Sequence, residues 1–162
     1  MDAPEVHPSA RVVGAVYGQI LATAIVATLS EDSAASASEI FFGVAVAMLV
    51  FWLAHVYAEA VAVRLDRDQP LTVPEVWRVA VQEWPEAQAA IPALAALGLG
   101  WVGVLTRDAA TDLAIALGVV ALFGWGFLIA RRSRLSPWGT AGAVALNGGF
   151  GLAIVALKVI VH

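Results

Sequence analysis

A histidine and a glutamate stand four residues apart inside an otherwise apolar run, in the segment FWLAHVYAE at residues 51–59. This spacing places His55 and Glu59 on one face of a helix. Ionisable side chains inside a membrane are costly, and they usually face a bundle interior or an ion pathway. The pair therefore indicates a proton or cation site, with His55 as proton acceptor or ligand and Glu59 as counter-charge. The alternative is that His55 makes an interhelical hydrogen bond that only fixes packing.

Depth along the helix selects the partners that could complete this site. Counted from Arg64 at the cytoplasmic end of the run, His55 lies about 13 Å deep and Glu59 about 7 Å deep, at 1.5 Å per residue. Polar residues at similar depths in other apolar runs are therefore the expected contacts. They are Gln19 and Asn147 for His55, and Glu86 or Gln88 for Glu59.

Acidic residues near the cytoplasmic side could form an oxygen-rich site for a divalent cation, since carboxylate oxygens suit hard and borderline cations. The identity of the metal does not follow, because a helical i, i+4 pair supplies at most two ligands and a zinc site normally has four positions. The alternative is a solvated acidic loop, and no other cofactor is evident. The candidate ligands are Glu59, Asp66, Glu83 and Glu86.

The composition indicates the elements that carry these residues. The chain is 60% hydrophobic and 14% charged, against about 45–50% and about 25% in soluble domains. Its apolar runs are long enough to cross a hydrocarbon core of about 30 Å. The sequence therefore predicts an all-α, polytopic membrane bundle, with residues 1–162 as one domain. The absence of cysteine excludes disulfides and thiolate sites.

Five transmembrane helices are predicted, and the third is weakened by Pro92 and by glycines at 98, 100 and 103. Membrane helices tolerate such residues when neighbouring groups satisfy the backbone. Boundaries are expected within about two to four residues. The predicted spans are 12–29, 40–63, 87–105, 110–130 and 138–161.

Arginine and lysine are distributed unequally between the two sides of this bundle. One side holds arginines 11, 64, 67, 78, 131, 132 and 134, and the other holds only Arg107 and Lys158. Cytoplasmic loops carry the excess of positive charge. We therefore expect a cytoplasmic N-terminus and an outside C-terminus, in the cytoplasmic membrane of a cell. The preference for arginine, alanine and glycine indicates a bacterium.

The segment between the second and third spans is predicted to form an amphipathic helix over about 73–84. Thr72 and Glu75 have the spacing of a capping box, and Pro74 suits a first helical turn. The apolar residues that follow recur at i, i+3, i+4, i+7 and i+11, as on one helix face. A helix lying in the cytoplasmic membrane interface is expected, and the alternative is a simple connector with tryptophan anchors.

Small residues recur along three of the predicted spans and favour close helix packing. Gly14 and Gly18 form a GxxxG pattern in the first span. Similar stripes run along the fourth and fifth spans, at 110, 114 and 118 and at 141, 145, 149 and 153. The packing could lie within the chain or between copies.

These patterns favour permeation or transport of a cation or proton over other functions. Five helices are few for a self-contained pathway, so a homo-oligomer in the lipid bilayer is expected. The alternative is a non-transporting structural or interaction subunit of a membrane complex. GxxxxGK[ST], GxSxG and HExxH are absent, which argues against an enzyme, and no basic patch supports nucleic-acid binding.

Four segments resemble those of small integral membrane proteins of actinobacteria that have no assigned activity: VYGQILATA (16–24), FWLAHVYAE (51–59), EWPEAQAAIPAL (83–94) and LKVIVH (157–162). The predicted threading is also similar to that of the vacuolar iron transporter family. That resemblance implies a dimer that moves Fe²⁺ or Mn²⁺ against protons, with an acidic helical insertion after the second span. The chain departs from that family at YGQ (17–19), where the family has an acidic motif, and its insertion is shorter.

Overall fold

Six α-helices form in the part of the chain that the computed structural model describes, residues 8–67 and 72–161, with side chains described for 11–65 and 72–160. The all-α prediction is confirmed. Four of the helices, α1, α2, α5 and α6, are long and apolar enough to cross a membrane, and their bounds lie within four residues of the predicted spans. The helices are α1 (Pro8–Leu29), α2 (Ala37–Arg67), α3 (Val73–Gln88), α4 (Ile91–Trp101), α5 (Arg107–Arg132) and α6 (Pro137–Val161).

The third predicted span, 87–105, differs from the structure. Only its central part, α4, is an uninterrupted helix, so four helices rather than five are long enough to cross a membrane alone. Eleven residues rise about 17 Å, which is well short of about 30 Å. Pro92 has no amide hydrogen, and its ring crowds the carbonyl of Gln88, which separates α4 from α3. At the other end, Gly103 has a φ of 79°, and only glycine adopts this conformation without strain.

The predicted amphipathic helix is α3, and it continues to Gln88. Glu75 accepts a hydrogen bond of 2.8 Å from the Thr72 amide, which is one half of the predicted capping box. The helix packs against both α1 and α2. Val79 and Ala80 are buried against α2, while the outer face of α3 stays exposed. Helix α3 therefore packs as part of the bundle, and its C-terminal turn lies between α1 and α2.

The hydrogen bonds of Arg107 show which helix ends lie together. Its guanidinium donates to the carbonyl oxygens of Ser30, Asp32 and Ala35, at 2.8, 2.6 and 2.9 Å. The α1–α2 and α4–α5 connections therefore share one end of the bundle, here called the Arg107 end. The starts of α1 and α3 and the α5–α6 connection lie at the opposite end, here called the basic end. Together, α3 and α4 run from the basic end to the Arg107 end.

The main core lies among α1, α2, α4 and α5, towards the Arg107 end. Its large, fully buried side chains include Val26, Ile40, Val44 and Leu97. A smaller cluster towards the basic end joins α2 to α3. Helix α6 packs on α5 and α1 from outside, and only 11% of its apolar window is buried. Because α2 and α3 meet at this smaller cluster, the polar residues of the two helices lie outside the main core.

Candidate functional site

The C-terminal turn of α3 brings Glu86 to His55 of α2. Trp52 of α2 holds α3 in place, because its indole nitrogen donates to the carbonyl oxygen of Ala80 at 3.1 Å. The rings of Trp52 and Trp84 also meet edge to face, with centroids 5.4 Å apart. Glu86 lies half a turn beyond Trp84, on the inner side of α3. These contacts place the carboxylate of Glu86 beside His55, the ionisable residue inside the apolar run of α2.

His55 and Glu86 form a pair with one accessible and one buried member. The Nδ1 atom of His55 lies 3.1 Å from Oε2 of Glu86. The histidine side chain is 43% exposed, whereas that of Glu86 is 1% exposed. Nδ1 also lies 3.3 Å from the carbonyl oxygen of Phe51. Because a carbonyl oxygen can only accept, a proton on Nδ1 satisfies both neighbours at once.

The second carboxylate oxygen of Glu86, Oε1, is buried and has no hydrogen-bond partner among the described residues. A buried polar atom without a partner is unusual in a folded protein. Protonation at this oxygen removes the charge, and removing the charge lowers the cost of burying the carboxyl group. The arrangement therefore favours a carboxyl group that exchanges a proton over a permanently charged one.

The electrostatic surroundings of Glu86 contain two further carboxyl groups. Glu83 acts on Glu86 and Glu59 acts on Glu83, while the imidazole of His55 acts on both Glu83 and Glu86. Like charges and burial both disfavour the ionised carboxylate. Three carboxyl groups and one imidazole therefore share this part of the bundle.

Helix α1 forms the third side of this site. Tyr17 packs its ring edge to face on the imidazole of His55, with centroids 5.2 Å apart. Gly18 lies directly against the backbone of Glu86, whereas a Cβ atom added at Gly14, one turn away, would make only an ordinary contact with the Glu86 amide nitrogen. The GxxxG pattern thus lets a helix backbone approach closely within this chain.

Gln19 and Asn147, the partners expected for His55, are placed elsewhere. Gln19 is 2% exposed, and its amide nitrogen lies 3.4 Å from the Thr23 hydroxyl on its own helix. Asn147 donates to the carbonyl oxygen of Ala143, one turn back on α6, at 3.0 Å. Depth along the helix did not select the contact of His55, because several helices have polar residues at a similar depth and packing decides which of them is near.

The expected acidic cluster is assembled in part. Glu59 and Glu83 are close enough for each to act on the site electrostatically, and Glu86 stands at its centre. The side chain of Asp66 lies outside the described residues. Among the described side chains, no group of three or more histidine and acidic residues has the geometry of a metal site. The divalent cation site stays a prediction.

Two functional contacts had weak signals in the sequence. The contact of Tyr17 with His55 had one such signal, since Tyr17 is the single aromatic residue between the two glycines of the GxxxG pattern. Glu86 is an acid just beyond the predicted amphipathic helix, but this position does not show which side chain it meets. Depth from the cytoplasmic end instead predicts that Glu86 or Gln88 meets Glu59.

Comparison with known proteins adds no family to this picture. No family model matches the chain, and neither a curated protein nor a solved structure matches it. The two resemblances drawn from the sequence therefore stay predictions, and the His55–Glu86 geometry carries the functional argument.

Proposed function

We propose that this chain is an integral membrane protein that takes up and releases a proton at the His55–Glu86 pair, as part of proton or cation transport. The observation that carries the proposal is the pair itself: a 1% exposed carboxylate 3.1 Å from a 43% exposed imidazole. Histidine commonly serves as a proton shuttle in proteins. Intramembrane pairs of this kind mark proton relays in pumps and transporters.

Placement in a membrane rests on four helices that are long and apolar enough to cross one. We propose that α3 and α4 jointly make the fifth crossing, because together they run from the basic end to the Arg107 end. The excess of arginine at the basic end supports a cytoplasmic position for that end. The N-terminus is then cytoplasmic and the C-terminus outside, as the sequence predicts for a bacterial cytoplasmic membrane.

The accessible face of the pair supports a homo-oligomer. His55 and Tyr17 are both partly exposed on the outer surface between α1 and α2. An imidazole facing lipid alone would be costly. A second copy covering this face would place His55 at a subunit boundary, where a proton path could pass.

A structural role is the second candidate, and the close docking of Glu86 favours it. The backbone of Glu86 is wedged against Gly18, so the pair with His55 could serve only to lock α3 onto α1 and α2. A neutral histidine bonded to a protonated glutamate would do this without moving any proton. Flux measurements separate this role from transport.

The test is flux across liposomes that contain the purified protein and a pH-sensitive dye. Variants His55→Gln and Glu86→Gln are compared with wild type under imposed gradients of H⁺, Mn²⁺, Fe²⁺ and K⁺. Loss of a positioned acid or base is expected to lower flux by about a hundredfold or more. Asp112→Asn is the matched control, since Asp112 is an exposed acid 3.8 Å from Lys158 near the Arg107 end.

Two results would count against transport at this site. Equal flux in wild type and both site variants would reject His55–Glu86 as the proton site even if the protein conducts. Folded wild-type protein that conducts none of the four ions, in which both substitutions lower stability, would instead favour the structural role.

A further inference from the structure

A crevice with a volume of about 670 Å³ opens between α1, the α3–α4 junction and α5, away from the His55–Glu86 pair. This volume lies within the range of about 300–1,000 Å³ that is typical of ligand pockets. Arg11, in the first turns of α1, and Arg132, the last residue of α5, both line it. The crevice therefore opens at the basic end, where the apolar helices begin and end.

Two arginines from separate helices give the crevice its positive charge. Arg11 and Arg132 are exposed, and neither has a hydrogen-bond or ion-pair partner among the described side chains. A guanidinium group has a planar set of donors that matches phosphate oxygens. Both guanidinium groups can therefore donate to an anion that binds in the crevice.

The rest of the lining is apolar with two amides. Trp125, Leu128 and Pro92 form apolar walls, and Gln19 and Gln88 contribute the amides. The amide nitrogen of Gln19 has one long hydrogen bond, 3.4 Å from the Thr23 hydroxyl, in a side chain that is 2% exposed. A charged mouth above an apolar wall suits an amphiphile, whose headgroup meets the arginines and whose chain meets the tryptophan.

We propose that this crevice binds the phosphate headgroup of an anionic phospholipid, with the start of an acyl chain against Trp125. Basic pockets between membrane helices on the cytoplasmic side recognise such headgroups. A free phosphate shares the headgroup chemistry, but the apolar walls and the position at the helix ends favour the lipid. The proposal rests on the membrane placement proposed above and is independent of proton exchange at Glu86.

Native mass spectrometry of the detergent-solubilised full chain tests the proposal with added phosphatidylglycerol or phosphatidylcholine. Wild type is expected to bind phosphatidylglycerol more tightly. Arg11→Gln and Arg132→Gln should each weaken this binding about fivefold, as for single basic residues near an anionic membrane surface.

Arg131→Gln is the matched control, because its guanidinium instead lies 5.7 Å from the ring centroid of Phe127. Glu86→Gln should keep the lipid and lose only the proton site.

A second measurement does not depend on the arginine variants. Brominated phosphatidylglycerol should quench the fluorescence of Trp125, so the quenching of wild type should exceed that of Trp125→Phe. The proposal would be overturned by equal affinity of wild type for the two lipids, by an equal loss in Arg131→Gln, or by quenching that Trp125→Phe leaves unchanged. Inorganic phosphate that displaces the phospholipid at equal concentration would assign the crevice to a soluble anion and would also overturn it.

Discussion

The backbone of Glu86 lies directly on Gly18, so that a Cβ atom at residue 18 would fall 2.9 Å from the Glu86 Cα. The next glycine along the same face, Gly14, is farther away, with 3.8 Å from its Cβ position to the Glu86 amide nitrogen. This contact decides how deeply the end of α3 sits between α1 and α2. It therefore also decides whether the carboxylate of Glu86 reaches His55.

Gly18→Ala is expected to push α3 away from α1 and to lower stability by about 1–3 kcal/mol, as overpacking generally does. Gly14→Ala is the matched control, since its new methyl group meets only an ordinary contact and alanine favours the helix. Thermal unfolding of both variants in the same detergent measures the difference. Equal midpoints would show that Gly18 is not a close-contact position.

Arg107→Lys should loosen the Arg107 end of the bundle. One guanidinium serves the carbonyl oxygens of Ser30, Asp32 and Ala35, and the single ammonium group of lysine cannot reach all three with the same geometry. The expected loss of stability is about 2 kcal/mol, as for hydrogen bonds to a charged group. Hydrogen exchange should rise at residues 30–36. Arg131→Lys provides the control, and an equal loss there would argue against a specific role for Arg107.

Gly118→Ala on α5 should collide with Thr23 of α1, whose Cγ2 would lie 3.0 Å from the new Cβ atom. A loss of about 1–3 kcal/mol is expected. Thr23→Ala removes the colliding atoms, so the double variant should recover part of this loss. A double-mutant cycle measures the coupling, and strictly additive losses would mean that the two residues do not meet.

The apolar runs and their charged ends predict the long helices closely, because length and hydropathy act within each segment. The third crossing could not be predicted in this way. Pro92 and Gly103 divide the apolar run, so the chain crosses the bundle by combining polar α3 with short α4. The resulting path depends on how α3 packs against α1 and α2, which hydropathy does not encode.

For the candidate site, the sequence by itself determined that His55 is costly to place inside a membrane and which face of α2 carries it. It also determined that acidic residues lie near the same end of the bundle. Those conclusions follow from helix periodicity and from the cost of burying charge. Only the tertiary structure decided that Glu86, rather than Gln19 or Asn147, meets Nδ1 of His55. The spacing of side chains along one helix is local, but the helix that covers a given face is chosen by long-range packing, here by the contact of Gly18 with α3.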